Sequence, residues 1–419
     1  MQAYRPLSSV FRKALLLVCL LWMNGLSSQT GYVTPIELLQ GKKKVIIPFR
    51  YQHNFIILDT KLFGLLPAKF IFDTGAEHLI IFKREYTDVL MIPYDRRIPI
   101  MGSDLSREIY ALIVRNELVQ LEGLPPKRND MLVLEDNYFD LDEMVGAPIA
   151  GLIGGGFFKN MVINIDYKKH KLVLYDPSQF EPPQGFISLP IHVKTNKPYV
   201  LAEANLLDGT AVQVDLLLDT GAGVPLLLHN NSNANLHLPE NYIRGKLGMG
   251  LGGYLEGYIG RIGSLSMGEI DFPFVLTSFQ DIDSTLLLDK DKFRNGLLGN
   301  QLLSRFNIYL DYMHGLMYIK PYKTTQKPFK MDRSGLILVA YGAEFNEFVV
   351  RDIADYSPAS VADIRAGDVL VKVQGVPAHF FTLDGLNLLF QRKVGKTIKL
   401  VIRRDHKEIH KNFILRDLI

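Results

Sequence analysis

The chain is nearly free of cysteine: Cys19 is the single one among 419 residues. One thiol cannot form an intrachain disulfide, so a disulfide-stabilised scaffold and a cysteine-based zinc site are both excluded. Because Cys19 lies inside an apolar run near the amino terminus, a cysteine nucleophile in a folded domain is excluded as well. The ten histidines show no His-Glu-x-x-His or similar spacing, which disfavours a metalloenzyme. We therefore expect neither a metal nor another cofactor.

The chain also lacks an excess of either charge. Lysine and arginine number 47 against 44 aspartate and glutamate residues, a formal net charge of +3. No basic run marks a nucleic-acid-binding face, so we expect no nucleic-acid partner. Hydrophobic residues make up 47% and charged residues 22%, as in ordinary globular proteins. A chain of this length can form two or three domains, each with its own core.

Long apolar runs are absent except at the amino terminus. There, three basic residues are followed by ALLLVCLLWM and then by small residues, an order that is typical of a secretory signal. The sequence predicts a signal peptide over residues 1–28, cleaved near Ser27 or Ser28, and hence export to the periplasm, the cell surface or the medium. The apolar run is shorter than the roughly 18 residues of a membrane span. A retained amino-terminal anchor is the alternative; after signal removal we expect no integral membrane segment.

What the chain does contain is an internal repeat. FIFDTGAEHLIIF begins at Phe70, and LLLDTGAGVPLLLH begins at Leu216. Each is followed by a second shared segment, GLIGGGFF in the first copy and GLLGNQLL in the second. Segments within each copy are short, rich in branched and aromatic residues, and separated by Gly, Pro, Asn or Asp, which is typical of strands and turns. The repeat predicts a mainly β protein with two duplicated lobes, residues 29–184 and 185–321.

Each copy places an aspartate at the end of an apolar run, Asp73 and Asp219. An isolated buried carboxylate is costly, but two lobes related by a pseudo-twofold axis would bring equivalent residues together. Two adjoining carboxyl groups share a proton, since both cannot ionise easily. The charged one can then take a proton from a water while the protonated one polarises a carbonyl. This is general acid–base hydrolysis of an amide without a covalent intermediate.

The residues that follow each aspartate suit this arrangement. Thr74 and Thr220 offer hydroxyl groups that can bond across the axis and fix the two turns. Gly75 and Gly221 let the turns approach each other closely because they lack a Cβ. Two unconnected strand-ending turns are the alternative, which an identical tetrapeptide at the same place in both copies disfavours.

The paired Asp-Thr-Gly-Ala and Gly-Leu-(Ile/Leu)-Gly segments resemble those of retropepsin-like aspartic peptidases. The likeness covers about residues 45–320 and is similar to the pepsin-like arrangement, in which one chain carries both lobes. The resemblance implies two retropepsin-like β lobes related by a pseudo-twofold axis, with Asp73 and Asp219 as the catalytic pair. It also implies that Thr74 and Thr220 brace the pair, and that the substrates are peptides or proteins.

Members of that family close a glycine-rich hairpin, the flap, over the substrate. Residues 248–260, GMGLGGYLEGYIG, stand where the second copy should carry one. We expect Gly250, Gly252, Gly253 and Tyr254 to contact the substrate, and a surface hairpin is the alternative. The corresponding MGSDLSREIY of the first copy is poorer in glycine. A dinucleotide fingerprint also matches GMGLGG, but the β-α-β context that it requires is missing.

The carboxyl-terminal part of the chain differs from the repeats. Residues 322–332 are polar and contain proline, which predicts a linker with few contacts across it. Residues 333–419 include SPASVADIRAGDVLVKVQG, which resembles bacterial PDZ domains and predicts a PDZ domain there. Pro358 suits the first turn of a helix in that segment.

PDZ domains usually bind a peptide C-terminus as an added strand, with its carboxylate on a loop of backbone N–H groups. The loop normally reads Gly-Leu-Gly-Phe, and the resemblance places it here at Gly335, Leu336, Ile337 and Leu338, without the second glycine. Docking against the lobes is the alternative to peptide capture.

The sequence therefore predicts an exported aspartic endopeptidase that hydrolyses peptide bonds through an aspartate-activated water, with a PDZ module for peptide capture or regulation. A non-catalytic periplasmic peptide-binding protein with a protease-like cleft is the alternative, although a binding scaffold has no need of two aspartates. Hydrolysis of a non-peptide amide is a third interpretation that the residues leave open.

Overall fold

The computed structural model describes residues 39, 41–102, 108–136, 141–250, 253–283 and 294–419. The predicted signal peptide over residues 1–28, with Cys19, lies outside the described residues. Among the residues that the structure does describe, no helix is long and apolar enough to cross a membrane.

Strands dominate the described residues, so the prediction of a mainly β protein is confirmed. Short helices and 3-10 turns connect them. The strands up to residue 184 are β1 (Lys44–Pro48), β2 (Arg50–Gln52), β3 (Phe55–Leu62), β4 (Leu66–Asp73), β5 (Leu79–Ile81), β6 (Arg97–Met101), β7 (Glu108–Leu121), β8 (Lys127–Leu134), β9 (Gly151–Gly154), β10 (Val162–Asp166) and β11 (Lys171–Tyr175). The helices there are α1 (Glu85–Asp88) and α2 (Leu141–Val145), with 3-10 turns at Gly155–Phe158 and Pro177–Gln179.

The second copy has a closely similar series of elements. Its strands are β12 (Ile187–Pro190), β13 (His192–Lys194), β14 (Lys197–Asn205), β15 (Ala211–Asp219), β16 (Leu226–His229), β17 (Ile243–Gly250), β18 (Gly253–Arg261), β19 (Ser264–Met267), β20 (Ile270–Pro273), β21 (Leu276–Gln280), β22 (Gly296–Gly299), β23 (Phe306–Asp311) and β24 (Leu316–Pro321). A 3-10 turn at Asn230–Ser232 and helix α3 (Asn300–Leu303) complete it.

The carboxyl-terminal part forms a separate sheet with its own hydrophobic core. Its strands are β25 (Leu336–Tyr341), β26 (Glu347–Ile353), β27 (Val369–Val373), β28 (Val376–Pro377), β29 (Thr397–Arg404) and β30 (Lys407–Ile414). Helices α4 (Pro358–Val361) and α5 (Leu383–Phe390) and a 3-10 turn at Ala378–Phe380 lie between them. Pro358 begins α4 behind the N-cap Ser357, whose side chain accepts a hydrogen bond from Ser360 N–H.

A six-stranded antiparallel sheet joins the two copies, in the order β1-β11-β10-β23-β24-β12. The order is palindromic because β10 and β23 occupy equivalent places in the two copies and pair with each other. In that pair Asn164 lies opposite Tyr309, and these two residues are themselves equivalent in the repeat. A local pseudo-twofold axis therefore passes between β10 and β23.

Each copy also has its own sheet, and the strand pairing around the two repeated aspartates is the same. Strand β4 runs parallel to β9, with Asp73 opposite Gly154, as β15 runs parallel to β22, with Asp219 opposite Gly299. Strands β5 and β16 pair antiparallel with β9 and β22, respectively. Continuous apolar runs suit β4 and β15 because both faces are covered near their ends, and each run ends at its aspartate.

Residues 322–332 differ from the linker that their composition predicts. The side chains of Thr325 and Phe329 are only 3% and 4% exposed, and Phe329 belongs to the core of the two copies. The guanidinium of Arg305 lies 3.4 Å from the Phe329 ring centroid. Arg305 also donates to the carbonyl oxygens of Thr325 and Lys327, at 2.8 and 2.6 Å. Arg261 Nη2 also donates to Phe329 O, at 3.2 Å. Two arginines thus help to fix this segment to the second copy, through contacts that polar composition does not reveal.

We expect Phe329→Ala to destabilise the second copy by about 3 kcal/mol, because truncating a buried phenylalanine leaves a cavity and removes the stacking with Arg305. Calorimetry and urea unfolding of the full chain measure the loss. Phe274→Ala is the matched control, since Phe274 is 63% exposed and its truncation should change the stability by less than about 0.5 kcal/mol. Equal stabilities of the two variants would contradict the packing of this segment.

Candidate active site

Two threonines tie the repeated turns together across the pseudo-twofold axis. The backbone N–H of Thr74 donates to Thr220 Oγ1, and that of Thr220 donates to Thr74 Oγ1, each at 3.0 Å. The two hydroxyls donate onward, Thr74 to Leu218 O at 2.6 Å and Thr220 to Phe72 O at 2.8 Å. Both side chains are fully buried. The four bonds fix the two strand ends relative to each other.

The glycine of each turn lies directly against the aspartate of the other. A Cβ on Gly75 would come within 2.6 Å of Asp219 Cγ, and one on Gly221 within 2.4 Å of Asp73 Cγ. No side chain fits in that space, so glycine is required at both positions. The backbone N–H groups of the turns also orient the carboxylates: Gly75 donates to Asp73 Oδ1 at 2.7 Å and Gly221 to Asp219 Oδ1 at 2.8 Å.

The two carboxyl groups are close neighbours, because each lies against the glycine of the other turn, and two adjoining buried carboxyl groups cannot both ionise easily. Burial, with the charge of Asp219 next, raises the pKa of Asp73 well above its usual value. Burial also raises the pKa of Asp219, but the positive charges of Arg294 and Lys197 oppose the rise. The positive charge of Arg294 therefore favours the ionised form of Asp219.

Sequence reasoning missed Lys197 and Arg294, whose positive charges oppose the rise in the pKa of Asp219. Lys197 begins β14, and Arg294 lies two residues before β22. The places equivalent to them in the first copy hold Phe55, which begins β3, and Ile149, so neither cation is repeated. A search for matching residues therefore passes over both, and no other signal in the sequence singles them out.

A second asymmetry concerns the tyrosines that follow the repeated Asp166 and Asp311. Tyr167 donates to Asn300 Oδ1, and Asn300 Nδ2 donates to Thr220 O at 3.2 Å, which braces the turn of Asp219 from behind. In the first copy Gly155 stands at the place of Asn300. The buried hydroxyl of the equivalent Tyr312 has no hydrogen-bond partner among the described residues.

The predicted flap is a hairpin of β17 and β18, in which Gly250 pairs with Gly253 and Met249 with Tyr254. Gly252, at its tip, lies outside the described residues, as do residues 103–107 of the corresponding segment in the first copy. Gly250 lines the same cavity as the two aspartates, as do Leu247 and Leu255 of the hairpin. The hairpin therefore lies on the aspartate side of the second copy.

That cavity has a volume of about 1150 Å³. The two aspartates, Lys197 and Arg294 line it together with apolar side chains of both copies, among them Ile80 and Leu297. Such a mixture of an apolar wall and a few converging polar groups is typical of binding clefts. Among the described residues no group of three or more His, Cys, Asp or Glu side chains is placed to hold a metal ion.

The predicted carboxylate loop precedes and begins strand β25. Gly335 adopts a φ of +79°, and its N–H donates to Asp332 Oδ1 at 2.7 Å. Leu336 N–H donates to Ser334 Oγ at 3.0 Å. Leu338 is buried in the core of the sheet, whereas Leu336 and Ile337 also line the cavity of the two aspartates.

Comparison with known families agrees with this part of the fold. The family model described as PDZ domain matches residues 328–413, so the carboxyl-terminal part of the chain is a PDZ domain, as the sequence predicts. PDZ domains typically bind peptide C-termini. A comparison with curated proteins finds no match for the chain.

We expect Arg294→Gln to move the acid limb of the pH profile of any hydrolysis at this site upward by about one pH unit. Asp219 must be ionised to accept a proton, and loss of the neighbouring positive charge raises its pKa. Lys197→Met should shift the limb in the same direction, whereas Lys197→Arg keeps the charge and should leave it in place. Profiles of kcat/KM against pH measure the shift. A downward shift, or equal shifts for Lys197→Met and Lys197→Arg, would contradict the assignment of the charge to Asp219.

Proposed function

We propose that the chain is an exported aspartic endopeptidase whose two repeats supply one aspartate each. The observation that carries this proposal is the close approach of Asp73 and Asp219, whose turns are held together by crosswise threonine bonds and which line one large cleft. The repeated motifs, which resemble those of retropepsin-like peptidases, support it independently. Export rests on the sequence of residues 1–28 and stays a prediction.

The asymmetry of the pair gives each carboxyl group a role. Asp219, charged, takes a proton from a water as the water oxygen bonds to the carbon of the scissile amide. Asp73, protonated, donates a hydrogen bond to the amide carbonyl oxygen, on which negative charge develops. The C–N bond then breaks as a proton passes to the leaving nitrogen, and no covalent enzyme intermediate forms.

The hairpin of β17 and β18 has a position suited to a flap. Gly250 and Leu247 face the cavity, and closure over an extended peptide would exclude bulk water and strengthen the electrostatic interactions at the pair.

Replacing either aspartate with asparagine tests the proposal. Asp73→Asn and Asp219→Asn should each lower kcat by about 10²–10⁴-fold, the usual contribution of a general acid or base. The assay is hydrolysis of reduced, alkylated casein between about pH 3 and 8, with and without a statine-type peptide inhibitor. Asp59→Asn is the matched control, because the Asp59 side chain of β3 is exposed and pairs with Arg50 at the surface.

Full activity in either variant would contradict a single-chain pair. A wild-type chain that binds the inhibitor and the unfolded casein but hydrolyses neither casein nor short peptides would instead support the peptide-binding alternative. Circular dichroism of each variant verifies that the fold is kept.

A further inference from the structure

The groove of the PDZ domain has a defined place in this chain. In PDZ domains the peptide adds as a strand between the strand that follows the carboxylate loop and the second helix. Those elements are β25 and α5 here. Leu336 and Ile337 lie at the loop end of the groove, while Ala340 of β25 and Leu383 of α5 lie toward the other end.

The far end of this groove is filled by the first copy of the repeat. Helix α2 packs against β25, and the chain leaves it through Gly146 at a φ of +69°. A Cβ on Gly146 would lie 3.7 Å from Ala340 Cβ and 3.7 Å from Leu383 Cβ. The backbone of Gly146 therefore lies between the two walls of the groove, where a ligand peptide would run.

Polar contacts hold this segment and the PDZ helix in place. Gln52 Nε2 donates to the carbonyl oxygens of Val145 and Gly146, both at 3.0 Å. The neighbouring His53 N–H donates to Asp384 Oδ2 at 3.0 Å, and His53 Nδ1 lies 3.3 Å from Asp384 Oδ1. The first copy thus contacts both β25 and the first turn of α5.

At the loop end, two of the four N–H groups of the loop, those of Gly335 and Leu336, are already bonded within the domain. Asp332 Oδ1 accepts from the N–H groups of Ser334 and Gly335, at 2.8 and 2.7 Å, and from the Ser334 hydroxyl at 2.8 Å. Leu336 N–H donates to that same hydroxyl. Burial raises the pKa of Asp332 to about 6, so this carboxylate is mostly ionised at neutral pH. A peptide C-terminus would meet occupied donors and a like charge.

The loop end is nevertheless open, and it opens toward the aspartate pair. Leu336, Ile337 and, on α5, Asn387, Leu388 and Gln391 line the same cavity as Asp73 and Asp219. Leu388 is 64% exposed, an apolar side chain without cover at the edge of the cleft.

We propose that the PDZ domain is a fixed wall of the substrate cleft and takes no free C-terminus. The far end of its groove is filled in cis by residues 144–146, and the exposed face of α5 contacts an internal, extended segment of an unfolded protein whose peptide bond lies at the aspartate pair. The contact of α5 with the substrate, the substrate half of this inference, rests on the proposed function. The occupation of the groove by residues 144–146, the docking half, does not.

Cross-linking tests the docking without reference to activity. His53 Nδ1 and Asn387 Nδ2 lie 3.5 Å apart, so a His53→Cys/Asn387→Cys pair, in a Cys19→Ser background, should react fully with a short bifunctional thiol cross-linker. A His53→Cys/Val361→Cys pair is the control, because Val361 lies on exposed α4. Peptide mapping by mass spectrometry identifies the product. A yield no higher than that of the control would overturn the docking.

Fluorescence anisotropy of labelled peptides tests whether the carboxylate loop binds a free peptide C-terminus. We expect a pool of decapeptides with free carboxylates and the same pool with amidated C-termini to bind the full-length Asp219→Asn variant equally, within about twofold. The N–H groups of Gly335 and Leu336 are already hydrogen-bonded within the domain, whichever peptide is added. A preference of about tenfold or more for the free carboxylate, the factor that 1.4 kcal/mol supplies, would overturn the inference.

Leu388→Glu tests whether the PDZ domain forms a wall of the substrate cleft, and Val361→Glu is the matched control. Leu388→Glu should raise KM for reduced, alkylated casein about tenfold by removing one apolar contact. It should leave kcat, and the KM of a peptide too short to reach α5, unchanged. Equal effects of the two substitutions on casein would overturn the substrate half. If the wild-type chain hydrolyses no substrate, the proposed function is wrong. Cross-linking and anisotropy still test whether the first copy occupies the PDZ groove.

Discussion

The crosswise bonds between Thr74 and Thr220 are the interaction on which the rest of the structure depends. The N–H and hydroxyl groups of each threonine bond to the other copy. Without the second turn, these buried groups would lack hydrogen-bond partners. Burying two carboxyl groups beside them is costly unless one is protonated and the two bond to each other. The pairing of β10 with β23 brings the copies together in the register that permits this.

Exact symmetry would leave the two carboxyl groups in equivalent surroundings. The chain breaks the symmetry with residues that differ between the two copies. Arg294 and Lys197 oppose the rise in the pKa of Asp219, and Asn300 braces the turn of Asp219 while glycine stands at its place in the first copy. A symmetric scaffold therefore positions the pair, and residues that are not repeated make its surroundings unequal.

Much of the fold could be predicted from the sequence because its signals are local. The DTGA turns, the short branched segments and the Ser-Pro-Ala helix start each encode their own conformation, and the mainly β fold and the PDZ domain are confirmed. The role of Asp73 and Asp219 in catalysis stays a prediction, although the structure brings them together. Lys197, Arg294 and the burial of Phe329 could not be predicted, because each depends on a contact with residues distant in the chain. Polar composition made residues 322–332 look like a linker, although one buried phenylalanine determines their packing.

The departure of the PDZ loop from its usual sequence and the docking of the domain have one explanation. The second glycine of Gly-Leu-Gly-Phe lets a peptide carboxylate approach the backbone N–H groups closely. Here Ile337 occupies that place, and Asp332 and Ser334 accept the bonds of the adjoining N–H groups. The far end of the groove holds Gly146, and the carboxylate of Asp332 binds loop N–H groups. A glycine at the position of Ile337 is therefore not needed to admit a peptide carboxylate. The apolar side chain of Ile337 instead lines the cleft. In this proposal the same residue disfavours the binding of a peptide C-terminus and adds apolar surface for an extended substrate segment.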